Sequence, residues 1–282
     1  MTSMLLEKPL YIIGIIMLQV LYKWGFNLIE GLLSKQTEIA AFKADNIAGY
    51  INRFGAYTGL TVAVGLGPLL LGGPDKSYWS GLSSFVASGL ITIIVFIGFH
   101  HVLDKVVLRR VNNAGEIGKG NVAVALTEAS AYLALGLVIS GSFAGGGQSF
   151  GSGILSALLF TALGTAVLML VYTVYTVSWG RSGTNVDKKI GDGDKAAALD
   201  TGSILLAVAV TLFVSIAGDF TGWVSDLSSF GWAVLTSTTF VLVGRFIAGK
   251  LLAVVDRNTT VLGRSFSLAA ITIGIGIVAA LA

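Results

Sequence analysis

Polar residues along this chain gather in short clusters, separated by runs in which nearly every position is apolar. Eight such runs stand out: Leu10 to Leu33, Ile47 to Leu71, Trp79 to Leu103, Val122 to Ala144, Ile154 to Trp179, Thr201 to Ala217, Phe230 to Val254 and Phe266 to Ala282. A run of about 20 apolar residues matches the roughly 30 Å hydrocarbon core of a bilayer. Backbone polar groups inside hydrocarbon must satisfy one another, so each run predicts a membrane-spanning helix. The first run is read as a helix and not as a secretory leader, because Glu7 and Lys8 cancel at its start and no small-residue cleavage site follows it. Connections as short as Gly72 to Trp79 leave no room for a soluble domain between spans. The expected fold is all-α: a polytopic membrane protein with eight transmembrane helices.

The placement of Lys and Arg orients these helices. With eight spans, the termini and the loops after even spans share one side, which holds only Lys8 and Lys76. Lys35, Lys43, Lys105, Arg109, Arg110, Lys119, Arg181, Lys188, Lys189, Lys195, Lys250, Arg257 and Arg264 all lie in or beside loops after odd spans. The positive-inside rule then places these loops in the cytoplasm and both termini in the periplasm of a bacterial inner membrane. Composition agrees: 54% of the 282 residues are apolar and 12% charged, with a mean hydropathy of +0.84, whereas soluble domains carry about 25% charged residues. Soluble enzyme classes are thereby excluded. The chain has no cysteine and two histidines, so disulfides and thiolate metal sites are ruled out, and neither a metal nor another cofactor is expected. No nucleophile–base pair, phosphate loop or nucleic-acid signature is evident, so the chain reads as neither an enzyme nor a nucleic-acid binder.

The chain also repeats. A shift of 145 residues sets Ser80-Gly-Leu-Ser-Ser-Phe85 on Ser225-Asp-Leu-Ser-Ser-Phe230, then Lys105 on Lys250, Asn113 on Asn258 and Thr127 on Thr272, so spans 3 and 4 recur as spans 7 and 8. A shift of 75 residues sets Asn46-Ile-Ala48 on Asn121-Val-Ala123 and Ala56-Tyr57 on Ala131-Tyr132. The unit is a two-helix hairpin used four times. Since each copy contains an even number of spans, copies enter the membrane in the same direction, and the symmetry axis runs along the membrane normal. A ring-like bundle, or a pseudo-dimer of two four-helix halves, is expected.

These residues carry a family resemblance. Asp45-Asn-Ile-Ala48 and Gly118-Lys-Gly-Asn-Val-Ala-Val-Ala-Leu126 resemble the signatures of the DUF350 family (UPF0719, YjfL-like), with Asp45, Asn46, Ala48, Gly120, Asn121 and Ala123 as the repeated elements. The chain resembles two such units in tandem, residues 1–145 and 146–282. The second is degenerate: Gly193-Asp-Lys-Ala-Ala197 and Gly263-Arg-Ser-Phe-Ser267 lack Asn-x-Ala. Members of the family are small bacterial inner-membrane proteins, usually of four helices and without an established activity. They tend to be encoded beside phage-shock-protein-A-like and glutathionylspermidine-synthase-like proteins, which implies work in envelope maintenance.

Charges also fall inside the spans, where each costs roughly 2.5 to 3.5 kcal/mol at a helix centre unless partnered or hydrated. Gln19, Lys23, Asn27 and Glu30 follow spacings of three and four and form one stripe on the first span. The 75-residue shift makes Arg53 and Glu128 equivalent, a natural pair, and His100 lies at a similar level. If the last span begins near Phe266, Glu128 sits about 10 to 12 Å inside the corresponding start at Asn121. Lys23, Asn27, Glu30, Arg53, His100 and Glu128 thus form a candidate intramembrane cluster in the first half. It reads as satisfied pairs locking helices together, as an ion or proton path, or as a pocket for anionic lipid heads.

Weaker signals have plainer readings. Gly55-Ala-Tyr-Thr-Gly59 is a small-xxx-small packing motif. His100 and His101 point about 100° apart on a helix, which argues against a haem held by both. Gly191-Asp-Gly-Asp194 lacks most ligands of a calcium loop and reads as a solvated turn. The expectation for function is a non-catalytic component of envelope homeostasis or membrane stress, lodged in the lipid bilayer, forming a homo-oligomer or binding a peripheral cytoplasmic protein. The competing reading is a channel or transporter for a small ion or polar solute.

Overall fold

The computed structural model describes residues 2–33, 45–66, 78–109, 111–144, 150–180, 185–255 and 259–281. All regular structure among them is helical: α1 (Thr2–Leu33), α2 (Ile47–Gly65), α3 (Tyr78–Val106), α4 (Asn113–Gly118), α5 (Val122–Ser142), α6 (Phe150–Gly180), α7 (Val186–Gly191), α8 (Lys195–Ile216), α9 (Trp223–Val255) and α10 (Val261–Leu281). Each of the eight apolar runs overlaps one of the long helices, and the part of the second run beyond residue 66 lies outside the described residues. Six of these, α1, α5, α6, α8, α9 and α10, hold stretches long and apolar enough to cross a membrane. In α3 the apolar stretch is the shorter Phe85–Phe99. The chain is a multi-pass helical membrane protein.

Two elements were not expected. The short helices α4 and α7 precede α5 and α8, started by Asn112 and Asn185, whose side-chain oxygens accept the backbone N–H of Gly115 and Lys188. Short polar helices carry no apolar period, so hydropathy alone passes over them. The last helix begins at Val261 and not near Phe266, because Thr260 accepts the Gly263 N–H at 3.1 Å and caps the start earlier. The depth of Glu128 inferred from a start at Phe266 therefore does not hold. Its placement rests on burial: it is 1% exposed.

The even members of the hairpins form the centre. α2 packs on α5, α5 on α8 and α8 on α10, while α1 and α3 flank α2, α6 flanks α5 and α8, and α9 flanks α8 and α10. Among the described residues no packing of α2 on α10 closes this row, so these helices form an open line and not a ring, one of the two arrangements expected. The physical reason is that successive copies meet head to tail, and such a contact makes a ring only when its rotation closes in the available number of copies. Packing of α5 on α8 is as intimate as that of α2 on α5, so the boundary at 145/146 is crossed by the central row.

Small residues let these helices approach. A Cβ added to Gly55 would land on the backbone of Ala129, one on Gly59 would meet the Tyr132 carbonyl, and one on Gly136 would meet the Gly59 carbonyl. Gly55 and Gly59 thus act as the small-xxx-small face of α2. On the other side of α5, Gly141 faces the Phe213 backbone and Gly202 faces Ser130, and further on Gly276 of α10 faces Ala207 of α8. Lipid tails are as apolar as leucine, so helices in a bilayer gain from close van der Waals contact more than from burial, and small residues supply it. Large apolar side chains point outward instead, among them Trp24, Phe54, Ile94, Leu170, Trp232 and Phe240.

Gly136→Val should lower the thermal midpoint in detergent by several degrees, in line with the roughly 1–3 kcal/mol cost of overpacking. Gly98→Ala, where an added Cβ meets nothing within 4 Å, should match or slightly exceed the parent. Intrinsic-fluorescence melts of the two variants beside the parent measure the difference.

Candidate functional site

The repeated signature is a helix start with two functions in one side chain. Asp45, Gly120 and Gly193 occupy left-handed backbone with φ of 50°, 89° and 92°, and the next residue in each case caps the following helix. Asn46 Oδ1 accepts from Ala48 and Gly49 N–H, at 3.0 and 3.3 Å, and Asn121 Oδ1 accepts from Ala123 and Val124 at the same distances. The amide's other end reaches across to the neighbouring unit. Asn46 Nδ2 donates to the Ile117 carbonyl at 2.6 Å and the Gly118 carbonyl at 3.3 Å, at the end of α4. Asn121 Nδ2 donates to the Gly191 carbonyl at 2.7 Å and the Ile190 carbonyl at 3.4 Å, at the end of α7. Ala48 and Ala123 are both fully buried, where a larger side chain would have no space.

Asp194 caps α8 in the same manner, accepting from Ala196 and Ala197 N–H at 2.9 and 3.1 Å. The second half therefore retains the cap although it lacks Asn-x-Ala. What it loses is the donor, since a carboxylate carries no N–H. Because each grip joins the start of one central helix to the turn before the next, α2, α5 and α8 begin at the same end and run parallel. Beside Asn121, Lys119 Nζ donates to Glu116 Oε1 at 2.7 Å, and this bond holds the Glu116 carboxyl below its ordinary value.

Lys23, Asn27 and Arg53 come together in a cleft between α1, α2 and α5, lined also by Tyr22, Asn52, Tyr57 and Tyr132. Glu128 lies behind it. Asn52 Nδ2 donates to Glu128 Oε2 at 3.0 Å, so the residue next to Arg53 supplies this contact to the carboxylate. Asn52 escaped sequence reasoning because it is uncharged. The side chains of Glu30 and His100 lie outside the described residues. Gln19, on the same stripe, donates to Thr61 Oγ1 of α2 at 2.7 Å.

A second polar network occupies the other half. Arg245 of α9, 4% exposed, meets Asp200 of α8 at 3.5 Å. Its Nη1 donates to Ser203 Oγ at 3.4 Å and to Thr272 Oγ1 of α10 at 3.3 Å, and the guanidinium lies 5.6 Å from the ring centre of Tyr175 on α6. Four helices thus converge on one cation. The repeat alignment carried the signal, since Arg245 is the counterpart of His100 and Thr272 of Thr127. A third contact ties loops to spans: Tyr172 donates to Asp187 Oδ1 of α7 at 2.6 Å and accepts from the Leu108 N–H at 2.9 Å, while Leu108 itself holds a left-handed φ of 54°.

Parallel helices repeated by a capped hairpin, packed through small residues around buried polar contacts, define a class of multi-pass membrane protein built by internal duplication. The chain belongs to the DUF350 family, a domain of unknown function whose profile matches residues 2–143, 76–191 and 148–282. These matches begin one hairpin apart and accord with tandem copies, and the middle one straddles the boundary between the halves. A UPF0719 transmembrane protein of Aquifex aeolicus (strain VF5) is 28% identical over 138 residues, covering 47% of this chain. The chain spans about half the length of that relative, 50%. No solved structure gives a significant match.

Asn121→Asp keeps the cap of α5 but sets a carboxylate against the Gly191 carbonyl, and should destabilise the protein by about 1–3 kcal/mol. Asp194→Asn, at the homologous cap without that partner, should change the melting midpoint by less than a third as much. Thermal melts in one detergent compare the pair.

Proposed function

We propose that this protein is a non-catalytic integral component of the bacterial inner membrane, with eight spans in two tandem DUF350-like units, residues 1–145 and 146–282, both termini periplasmic and the basic loops cytoplasmic. It serves envelope homeostasis, the role that the family resemblance implies, and does so by association: with copies of itself in the membrane, or with a peripheral protein at the basic loops. The observation that carries this reading is the open row. A head-to-tail contact repeated through α2, α5, α8 and α10 without closing leaves unmatched faces at both ends, and α10 presents Phe266, Ile277, Val278 and Leu281 outward.

A channel is the second reading, favoured by two polar clefts toward opposite ends of the parallel helices. One is the cleft at Lys23, Asn27 and Arg53 near the start of α2. The other holds Ser142, Ser156, Ser215, Asp219, Asp226 and Ser229 at the far ends of α5 and α8. The two share no lining residue, and the tightly packed α2–α5–α8 contact lies between their levels, which supports the closed, associative reading.

Orientation is tested in this cysteine-free chain by Gly146→Cys and Lys188→Cys: on intact cells a membrane-impermeant thiol reagent should label only the first. Transport is tested in liposomes with proton, monovalent-cation and polyamine flux. The expected result is no flux above protein-free liposomes, and robust flux abolished by Glu128→Ala would overturn the associative reading in favour of the channel.

A further inference from the structure

The 145-residue shift also brings out a difference between two copies of the hairpin. It sets Lys119 on Arg264 and Glu116 on Val261. Lys119 is paired with Glu116 at 2.7 Å, whereas Arg264 keeps the cation and has a valine where that carboxylate would stand. The shift further sets Val107, Leu108 and Ala123 on Leu252, Ala253 and Leu268. The first three are almost wholly buried, at 1%, 0% and 0% exposed. Their counterparts, with Gly249, Val261, Arg264 and Ser265, line an open cleft of about 470 Å³ between the end of α9 and the start of α10. The face that is packed shut in one copy is therefore open in the other, beside a cation that lacks the acid of its counterpart.

Two polar side chains in this cleft are left over by the protein's own bonding. Arg264 Nη2 donates to the Thr259 carbonyl at 3.5 Å, beyond the usual range for an N–H to oxygen bond, and its enclosed Nε has no partner among the described residues. Ser265 is 7% exposed, lines the cleft, and makes no hydrogen bond through its hydroxyl among the described residues. No lining residue is acidic. The other walls are apolar, and Val254, Val261 and Phe266 stand exposed around them. Lys250, at a similar level, turns to the Phe246 ring, 5.6 Å from its centre, and does not line the cleft. At 1.5 Å per residue Arg264 lies about 4.5 Å from the start of α10, and Leu268 about 10 Å. The cation is thus at the mouth and the apolar wall runs inward, in the order in which headgroups give way to acyl chains.

We propose that this cleft binds one anionic glycerophospholipid, with Arg264 and the Ser265 hydroxyl donating to the phosphodiester oxygens and the glycerol end of an acyl chain lying on Leu252, Ala253 and Leu268. Basic pockets between spanning helices bind such headgroups. A free phosphate would gain the cation but leave the apolar walls uncovered. A choline headgroup brings its own cation beside Arg264, where no lining residue offers a carboxylate to receive it. The site requires only that α9 and α10 cross the membrane, for which both are long and apolar enough, and does not depend on the envelope role or on the direction of insertion.

The test measures the melting midpoint of the full chain in neutral detergent with phosphatidylglycerol, phosphatidylcholine or inorganic phosphate added at equal concentration. Phosphatidylglycerol should raise the midpoint, and the other two should not. Arg264→Gln should require about fivefold more phosphatidylglycerol for the same shift, as expected for loss of one basic contact worth about 1 kcal/mol. Val261→Glu, which restores beside Arg264 the carboxylate that Lys119 has, should raise the requirement as well. Arg264→Lys should keep the response, and Lys119→Gln, at the equivalent position of the other copy, should leave it unchanged. Equal shifts with phosphatidylcholine, or an Arg264→Gln response equal to the parent's, would overturn the proposal. A shift with inorganic phosphate that also requires Arg264 would overturn the lipid assignment in favour of a free anion. A midpoint that rises with protein concentration and not with phosphatidylglycerol would overturn it in favour of a second copy of the chain.

Discussion

One side-chain amide, used at both ends, organises this fold. A helix leaves its first N–H groups and last carbonyls without partners, and a protein built from many short hairpins multiplies such ends at one surface of the bilayer. Asn46 and Asn121 meet both needs together: the oxygen receives the N–H groups that open one helix, and the nitrogen supplies donors for the carbonyls that close another. Aspartate or serine would serve the first need alone. The left-handed residue just before each cap turns the chain sharply enough to bring those two ends together, which glycine does without strain at Gly120 and Gly193.

Once neighbouring starts are tied at one end, the central helices run side by side and must agree along their length. Small residues at Gly55, Gly59, Gly136, Gly202 and Gly276 bring backbones close, leaving little room for anything but short polar side chains in between. Thr127 and Thr272 fit there by returning their hydroxyls to the carbonyl four residues earlier. Larger polar groups occur where flanking helices meet, as Arg245 does between α8, α9 and α10. The polar interior therefore follows from the packing: narrow contacts take hydroxyls, and junctions of several helices hold charges with several partners.

Much of this was legible in the residues. Hydropathy located the long helices, six of which hold stretches apolar enough to cross a membrane, because a bilayer demands long apolar runs, and the repeat shifts located the caps, because Asn46 and Asn121 answer the same local geometry. Helix ends were less legible: α9 begins at Trp223 and α10 at Val261, ahead of the apolar runs, since caps and not hydropathy decide where a helix starts. The cluster at Lys23, Asn27 and Arg53 followed from helical spacing. That Asn52 would touch Glu128 did not, because an uncharged amide gives no signal when opposite charges are being matched. The Arg245 network was passed over as well. The candidate cluster was sought in the first half, although the 145-residue shift carries His100 onto Arg245.

The aspartate at position 194 bears on how long such an array grows. In stacked-repeat proteins, terminal copies differ from internal ones so that the stack does not continue indefinitely. Asn46 and Asn121 each extend a hand to the copy that follows, whereas Asp194 closes its own helix and offers a negative charge where the next copy would need a donor. A single change of side-chain nitrogen to oxygen thus acts as punctuation. It ends the run of amide grips after the second, and the last hairpin is tied to α8 through the Arg245 contacts instead.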